Sequence, residues 1–306
     1  MRDEAQTLCS ALDSVIIGKP DQVELLVAAL FANGHILIED VPGTGKTTLA
    51  KALAVAISAE YRRIQFTPDL MPADVTGGAV YQPGTGQFVV HEGPVFTNIL
   101  LADEINRASP RTQSALLEAM EERQVTLEGQ SRPLPGLFIV LATQNPVEFH
   151  GVFPLPEAQM DRFLIRLELG YPSVETERKI LYAHQKRHPI ESLKAVLSPE
   201  QVLEFQSQVR SVFVDEALGD YIVRLVQETR RHPGLRLAAS PRAGMMLFRL
   251  AQSFAWMDAR DHVRPEDIQR GLIPALGHRI FPRDARGAEA SRQILEEIRK
   301  SLSLPK

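Results

Sequence analysis

A run of three apolar residues, Ile36-Leu37-Ile38, leads into Val41-Pro42-Gly43-Thr44-Gly45-Lys46-Thr47-Thr48, and Leu49-Ala50-Lys51-Ala52-Leu53-Ala54 follows at once. The first run predicts a buried strand and the last a helix, so the turn between them has the context of a P-loop. Glycines there let backbone N–H groups turn inward and approach phosphate oxygens. A helix starting near Lys46 adds free N–H groups and the positive end of its dipole. Lys46 then reaches the β- and γ-phosphates, and the Thr47 hydroxyl is placed to ligate Mg²⁺. The strict pattern has glycine at its first position, where this chain has Asp40. A carboxylate there crowds the phosphates unless it points away.

The chain contains its own control. Pro83-Gly84-Thr85-Gly86 repeats the tetrapeptide, but Gln87 and the strand-like Phe88-Val89-Val90 follow. That copy has neither cation nor helix dipole and predicts a hairpin turn.

The 306 residues suffice for two domains, each able to bury a core. Cys9 is the only cysteine, which excludes an intrachain disulfide and fits a reducing, cytoplasmic setting. The N-terminus lacks a signal-peptide pattern, and the longest apolar runs are too short to span a bilayer, so no direct membrane insertion is expected. Charge is uneven: residues 1–172 hold 12 Lys+Arg against 21 Asp+Glu, and residues 173–306 hold 22 against 17. An acidic first part argues against nucleic acid as a partner. One reading of the split is composition drift; the sharper one is an acidic body that meets a basic partner surface, such as one on another copy of the chain.

Residues 1–172 alternate strands and helices. Strands are expected at Ile36–Glu39, Arg62–Phe66, Ile99–Asp103, Phe138–Thr143 and Leu164–Leu167, with helices at Gln22–Ala32, Leu49–Ala59 and Thr112–Glu122. This pattern predicts an α/β fold: a parallel five-stranded sheet between helices. Two hairpins interrupt it, near Ala79–Val90 and from Gln124 toward Pro135. Beyond Gly170-Tyr171-Pro172-Ser173 only helical signals remain, with starts at Ser173, Ser198-Pro199, Ser240-Pro241 and Arg264-Pro265. Residues 173–306 therefore read as a C-terminal all-helical domain.

Ile99-Leu100-Leu101-Ala102-Asp103-Glu104 is the second strong signal, an apolar strand ending in two carboxylates. Strand ends of a parallel sheet open onto the ligand crevice. Asp103 suits Mg²⁺, and Glu104, pointing differently, suits polarising an attacking water. A further strand, Phe138 to Thr143, is inserted between the P-loop strand and this one. Its polar tip carries Asn145, whose amide can reach the γ-phosphate or the water. An arginine such as Arg162, at a helix end before a strand, can protrude toward a neighbour and neutralise charge on a transferred phosphoryl group. His184 and His188 have helical spacing but no adjacent third ligand, so they read as a solvated face rather than a zinc site.

The stretches "EDVPGTGKTTLAKALA", "ILLADEINRASPRTQSALLEAMEE", "LATQNPVEFHGVFPLPEAQMDRF" and "SPRAGMMLFRLAQ" resemble AAA+ ATPases of the MoxR family. The resemblance implies an AAA+ P-loop NTPase core with a helical lid, ATP and Mg²⁺ as cofactors, and a ring, usually a hexamer. It also implies chaperone-like work on protein clients, often with a von Willebrand factor A domain partner. Carried over by position, Pro42 to Thr48 and above all Lys46 and Thr47 match Walker A. Asp103 and Glu104 match Walker B, and Asn145 matches sensor 1. Arg162 matches the arginine finger, with Arg107 and Arg111 as runners-up. Arg242 matches sensor 2 and would couple nucleotide state to lid position. Ile17 and Gly18 fall where the family lines the adenine pocket. The Gly77–Val90 hairpin falls where such members approach a central pore; Tyr81 and Phe88 would meet client there, or simply pack on each other. Two rival readings share the fold. One is a DNA-directed motor, disfavoured by the acidic core. The other is a non-hydrolysing scaffold, disfavoured by the intact Glu104, Asn145 and Arg162.

Overall fold

The computed structural model describes residues 1–84, 86–145, 151–183, 189–283 and 288–305. The pair His184 and His188 therefore lies outside the described residues. Helices α1 (Asp3–Asp13) and α2 (Pro20–Phe31) precede strand β1 (His35–Glu39), which feeds α3 (Lys46–Ala56) and β2 (Tyr61–Gln65). Short α4 (Pro72–Thr76) leads into a hairpin, β3 (Gly77–Gln82) and β4 (Gln87–Glu92). After β5 (Ile99–Asp103) come α5 (Pro110–Glu122) and a second hairpin, β6 (Gln124–Leu127) and β7 (Gln130–Pro133). Strand β8 (Ile139–Gln144), α6 (Glu157–Met160) and β9 (Phe163–Leu167) complete this part.

The five long strands form one parallel sheet in the order β2-β5-β8-β1-β9. As the sequence predicts, β8 is inserted between the P-loop strand and the Asp-Glu strand. Strands β1, β5 and β8 are near-continuous apolar runs because helices cover both faces. Alternate side chains part to opposite sides. Ile36 and Ile38 pack with α1, α2 and α3, while Leu37, Leu100 and Val140 pack with Leu116, Leu117 and Met120 of α5. β2 is an edge strand and buries only Ile64, leaving Arg63 and Gln65 exposed. Pro83, Gly84 and Gly86 of the repeated tetrapeptide lie between β3 and β4. Tyr81 and Phe88 face each other there with ring centroids 5.4 Å apart, and they are 52% and 71% exposed.

Helices α7 (Val174–Ala183), α8 (Pro199–Arg210) and α9 (Glu216–Arg231) follow, then β10 (Leu235–Leu237), α10 (Pro241–Met257), α11 (Pro265–Leu276), β11 (Phe281–Pro282) and α12 (Ala288–Ser301). The expected N-caps form: Ser173, Ser198 and Ser240 each accept a backbone N–H three residues on. β10 and β11 pair antiparallel where only helix was expected. Strands of three and two residues carry no readable periodicity.

The C-terminal helices do not enclose a separate core. One apolar cluster runs from the sheet through α2 into α8, α9 and α10. Phe31 of α2 packs edge-on against Phe205 and Trp256 at 5.9 and 5.1 Å. Gln206 and Ser253 donate hydrogen bonds to the Leu30 and Ala28 carbonyls, at 2.8 Å each. The lid is thereby fixed to the flank of the core that carries α1 and α2. Among the described residues no helix is long and apolar enough to cross a membrane.

Candidate active site

The turn after β1 adopts the backbone its glycines permit. Gly43 and Gly45 have φ of +84° and +94°, in the left-handed region that favours glycine. A Cβ on either would meet nothing within 4 Å, so these positions are constrained by conformation and not by crowding. Helix α3 begins at Lys46, and its first N–H groups border the cavity. Lys46 Nζ donates to the Asp40 and Val41 carbonyls at 2.8 and 3.1 Å. The Thr44 hydroxyl donates to the Val41 carbonyl.

Asp40 does turn away from the loop. One carboxylate oxygen accepts the Val41 N–H at 2.8 Å, and the other accepts the Leu169 and Gly170 N–H groups at 3.0 and 2.8 Å. It therefore ties the start of the loop to the segment leaving β9. On the same side, the Thr176 side chain stands 2.6 Å from where a Cβ on Gly18 would sit, and Lys19 Nζ donates to the Tyr171 carbonyl. Ile17 and Gly18 thus lie beside the start of α7, at the flank of the loop.

The tips of β5 and β8 supply the other wall. Pro42, Gly43, Gly45, Lys46, Thr47, Thr48, Asp103, Glu104, Thr143 and Asn145 line one cavity of about 370 Å³. Asp103 is buried: Thr143 Oγ1 donates to one of its oxygens at 2.6 Å, and Arg63 holds the other at 2.7 Å. Glu104 has φ +55°, a strained conformation for a non-glycine residue that swings its side chain away from that of Asp103. Its N–H donates to Thr143 Oγ1, while Gln65 Nε2 at 2.7 Å and Arg107 Nη1 at 2.9 Å donate to its carboxylate. Arg107 thus sits on the Glu104 of its own chain.

The donor set fits Mg²⁺. Thr47 and Asp103 offer hard oxygen ligands on facing walls, and Mg²⁺ takes one or two protein oxygens plus phosphate and water. Among the described residues no cluster of three His, Cys, Asp or Glu could hold a metal unaided. Burial and then the Glu24 charge push the Cys9 thiol up to about 12, which favours its protonated form.

Arg162 and Arg242 lie elsewhere. They line a separate hollow of about 200 Å³ with His35, Glu121 and Arg123, at the C-terminal end of α5. Arg162 Nε and Arg242 Nη1 bind different oxygens of Glu121, at 2.7 and 2.6 Å. These hydrogen bonds, Arg242 first, hold the Glu121 carboxyl below its ordinary range. Asp161 sets the arrangement. It accepts from Ser240 Oγ, the cap of α10, and from the buried Arg279, both at 2.7 Å. That docks the start of α10 on the α6–β9 corner. Within one chain α10 thus begins beside Arg162, and Arg242 lines a different hollow from the P-loop cavity.

Arg63, Gln65, Glu121, Thr143 and Asp161 carry this geometry without having been singled out from sequence. Thr143 had a signal, as the last hydroxyl before Gln144-Asn145, and so did the polar face of β2. Glu121 looks like any helix-surface carboxylate until the lid is placed.

The residues from 35 to 165 match the family model described as ATPase family associated with various cellular activities (AAA), and residues 227–298 match the AAA lid domain. The chain is 47% identical over 296 residues to the uncharacterized protein YeaC of Bacillus subtilis, covering 96% of this chain and 92% of that one. It is 41% identical over 302 residues to Chaperone MoxR1 of Mycobacterium tuberculosis, covering 95% and 80%. It is 31% identical to Protein MoxR of Methylorubrum extorquens, covering 92% and 88%. A crystal structure of a candidate ATPase from Cytophaga hutchinsonii superposes with a TM-score of 0.89 at 37% identity, covering 99% of this chain and 96% of that one.

Proposed function

This chain belongs to the MoxR family of AAA+ ATPases, and from that premise we propose that it works as a head-to-tail ring, a hexamer, whose ATP hydrolysis remodels or matures protein clients in the cytoplasm. The observation that carries the proposal is the division of the site. The P-loop, Asp103, Glu104 and Asn145 share one cavity, and Arg162 and Arg242 occupy another. A heterologous interface brings one half from each of two copies together.

In this reading, the loop N–H groups and Lys46 bind the β- and γ-phosphates. Thr47 and Asp103 hold Mg²⁺, which supplies neutralising charge on the phosphate oxygens. Glu104 accepts a proton as water attacks the γ-phosphorus and ADP departs. Asn145 orients that water, and Ile17 and Gly18 border the adenine. The neighbour's Arg162 neutralises the transferring phosphoryl group, with Arg242 beside it. The exposed Tyr81–Phe88 pair faces client, and a von Willebrand factor A domain protein delivers it. Residues 1–172 act as the nucleotide-binding core and residues 173–306 as the lid.

Phosphate release measured against protein concentration tests the proposal. The rate per chain should rise steeply as copies associate and then level off. A rate per chain that stays constant down to a monomeric dilution would place a complete site in each copy.

A further inference from the structure

Among the described residues two apolar surfaces stand uncovered, each flanking a different half of the divided site. The first is α7. None of its described side chains, residues 174–182, is buried, and Val174, Leu181 and Tyr182 are 83%, 74% and 65% exposed. Their i, i+7, i+8 spacing puts them on one stripe of the helix. The helix begins beside the P-loop, where Thr176 meets Gly18 and the preceding Gly170 meets Asp40.

The second is a groove between α9 and α10, of about 720 Å³, floored by Ile222, Val223, Val226, Met245 and Phe248. Val223 and Met245 are 52% and 58% exposed. Gly244 of α10 faces Val226 and Ile222 of α9, where a Cβ would make ordinary contacts at 3.5 and 3.7 Å. Arg210, Arg230 and Arg249 rim the groove. Arg249 also lines the hollow that holds Arg162 and Arg242, so groove and arginine pair share one side of the molecule.

We propose that the exposed stripe of α7 of one copy docks into the α9–α10 groove of the next. This rests on the reading that Arg162 and Arg242 complete a neighbour's nucleotide site, since bringing them to the P-loop brings the adjoining groove to the adjoining helix. The chemistry matches on both counts. An apolar helix stripe fits an apolar groove between helices. Glu175 and Glu177, in the first turn of α7, meet a rim of three arginines. Neither surface is covered by any described residue of its own chain, and in the divided-site reading the two fall on opposite sides of one interface. The docking therefore serves as an apolar latch that seats the arginines without being part of the chemistry.

Charge-swap variants test the latch. Leu181→Lys sets a cation against the apolar floor and the arginine rim, and Val223→Glu sets a carboxylate into the floor. Both positions are exposed, so the fold should survive, as circular dichroism would verify. Sedimentation with a non-hydrolysable ATP analogue then gives the concentration of half-assembly. Each single variant should raise it at least about tenfold, and the double variant Leu181→Lys/Val223→Glu should recover most of the loss. Rings that form as in wild type with either single variant would overturn the latch while leaving the divided site standing, and would free the groove for another protein. Two impaired singles without recovery in the double would mean the surfaces do not face each other. A wild-type chain that stays monomeric at every concentration would overturn both readings.

Discussion

Arg162 and Arg242 meet on a single carboxylate although 80 residues of chain separate them: Glu121 binds the first through Oε2 and the second through Oε1. One sits at the edge of the nucleotide-binding core and the other opens a lid helix. Asp161, binding Ser240 and Arg279, locks the two pieces in register. Any motion of the start of α10 must therefore carry Arg242 relative to Arg162 or break a paired, partly desolvated contact.

Glu121 acts as a positioning residue. Glu121→Gln removes the charge that gathers the two guanidiniums but keeps an acceptor. The turnover rate of assembled protein should fall about tenfold, the scale of a lost charge-assisted contact. Binding of a fluorescent nucleotide at the P-loop should stay within about twofold. Thermal unfolding should shift by no more than about 4 °C, because partly exposed ion pairs are worth at most about 1 kcal/mol. An unchanged turnover rate would show that the arginines are set without Glu121.

Lys46 and Glu104 should fail in different ways. Lys46→Ala loses the cation that meets the phosphates, so nucleotide affinity should collapse. Glu104→Gln should still bind ATP yet hydrolyse it at least about 100-fold more slowly, since the amide cannot accept the water's proton. Equilibrium binding and single-turnover hydrolysis separate the two. Equal loss of binding in both variants would contradict these roles.

Much of this site was legible because its residues are local in sequence. Gly43 to Thr47 declare themselves through strand, turn and helix within 20 residues, and Asp103-Glu104 through the apolar strand before them. Asn145 followed from an inserted strand. Glu121 and Asp161 act only across tertiary contacts, and nothing near them in sequence marks a surface carboxylate as structural. The fusion of lid and core was half-legible. Leu25 to Phe31 is an unbroken apolar run, and a helix apolar on all sides is covered on all sides. The placement of Arg242 was not legible, because a helix start gives no hint of which corner it docks on.

Acid should destabilise the fold through two buried histidines. His35 accepts the Val140 N–H at Nδ1 and donates from Nε2 to the Met120 carbonyl, so it is neutral. Burial and then the charge of Arg123 lower it to about 3. Burial and then Arg279 lower His278 well below its ordinary value. Between about pH 6.5 and pH 3 the unfolded chain binds a proton at position 35 that the folded chain refuses. Stability contributed by His35 is therefore complete above pH 6.5 and is lost as pH falls, with a slope of up to about 1.4 kcal/mol per unit. Urea unfolding at pH 7.5, 6.0 and 5.0 checks this. His35→Gln should be less stable at pH 7.5 but flatter with pH by up to about one proton. An unchanged slope would mean that His35 is charged in the folded state.

Mixing two inactive variants tests the divided site most directly. Lys46→Ala keeps its arginines and loses its pocket, and Arg162→Ala keeps its pocket and loses its finger. In rings that assemble at random from equal amounts, about one interface in four joins an intact pocket to an intact arginine, so the mixture should regain about a quarter of the wild-type rate. Rings confirmed to contain both variants, yet no more active at any ratio than either alone, would show that Arg162 does not complete the site of a neighbouring copy.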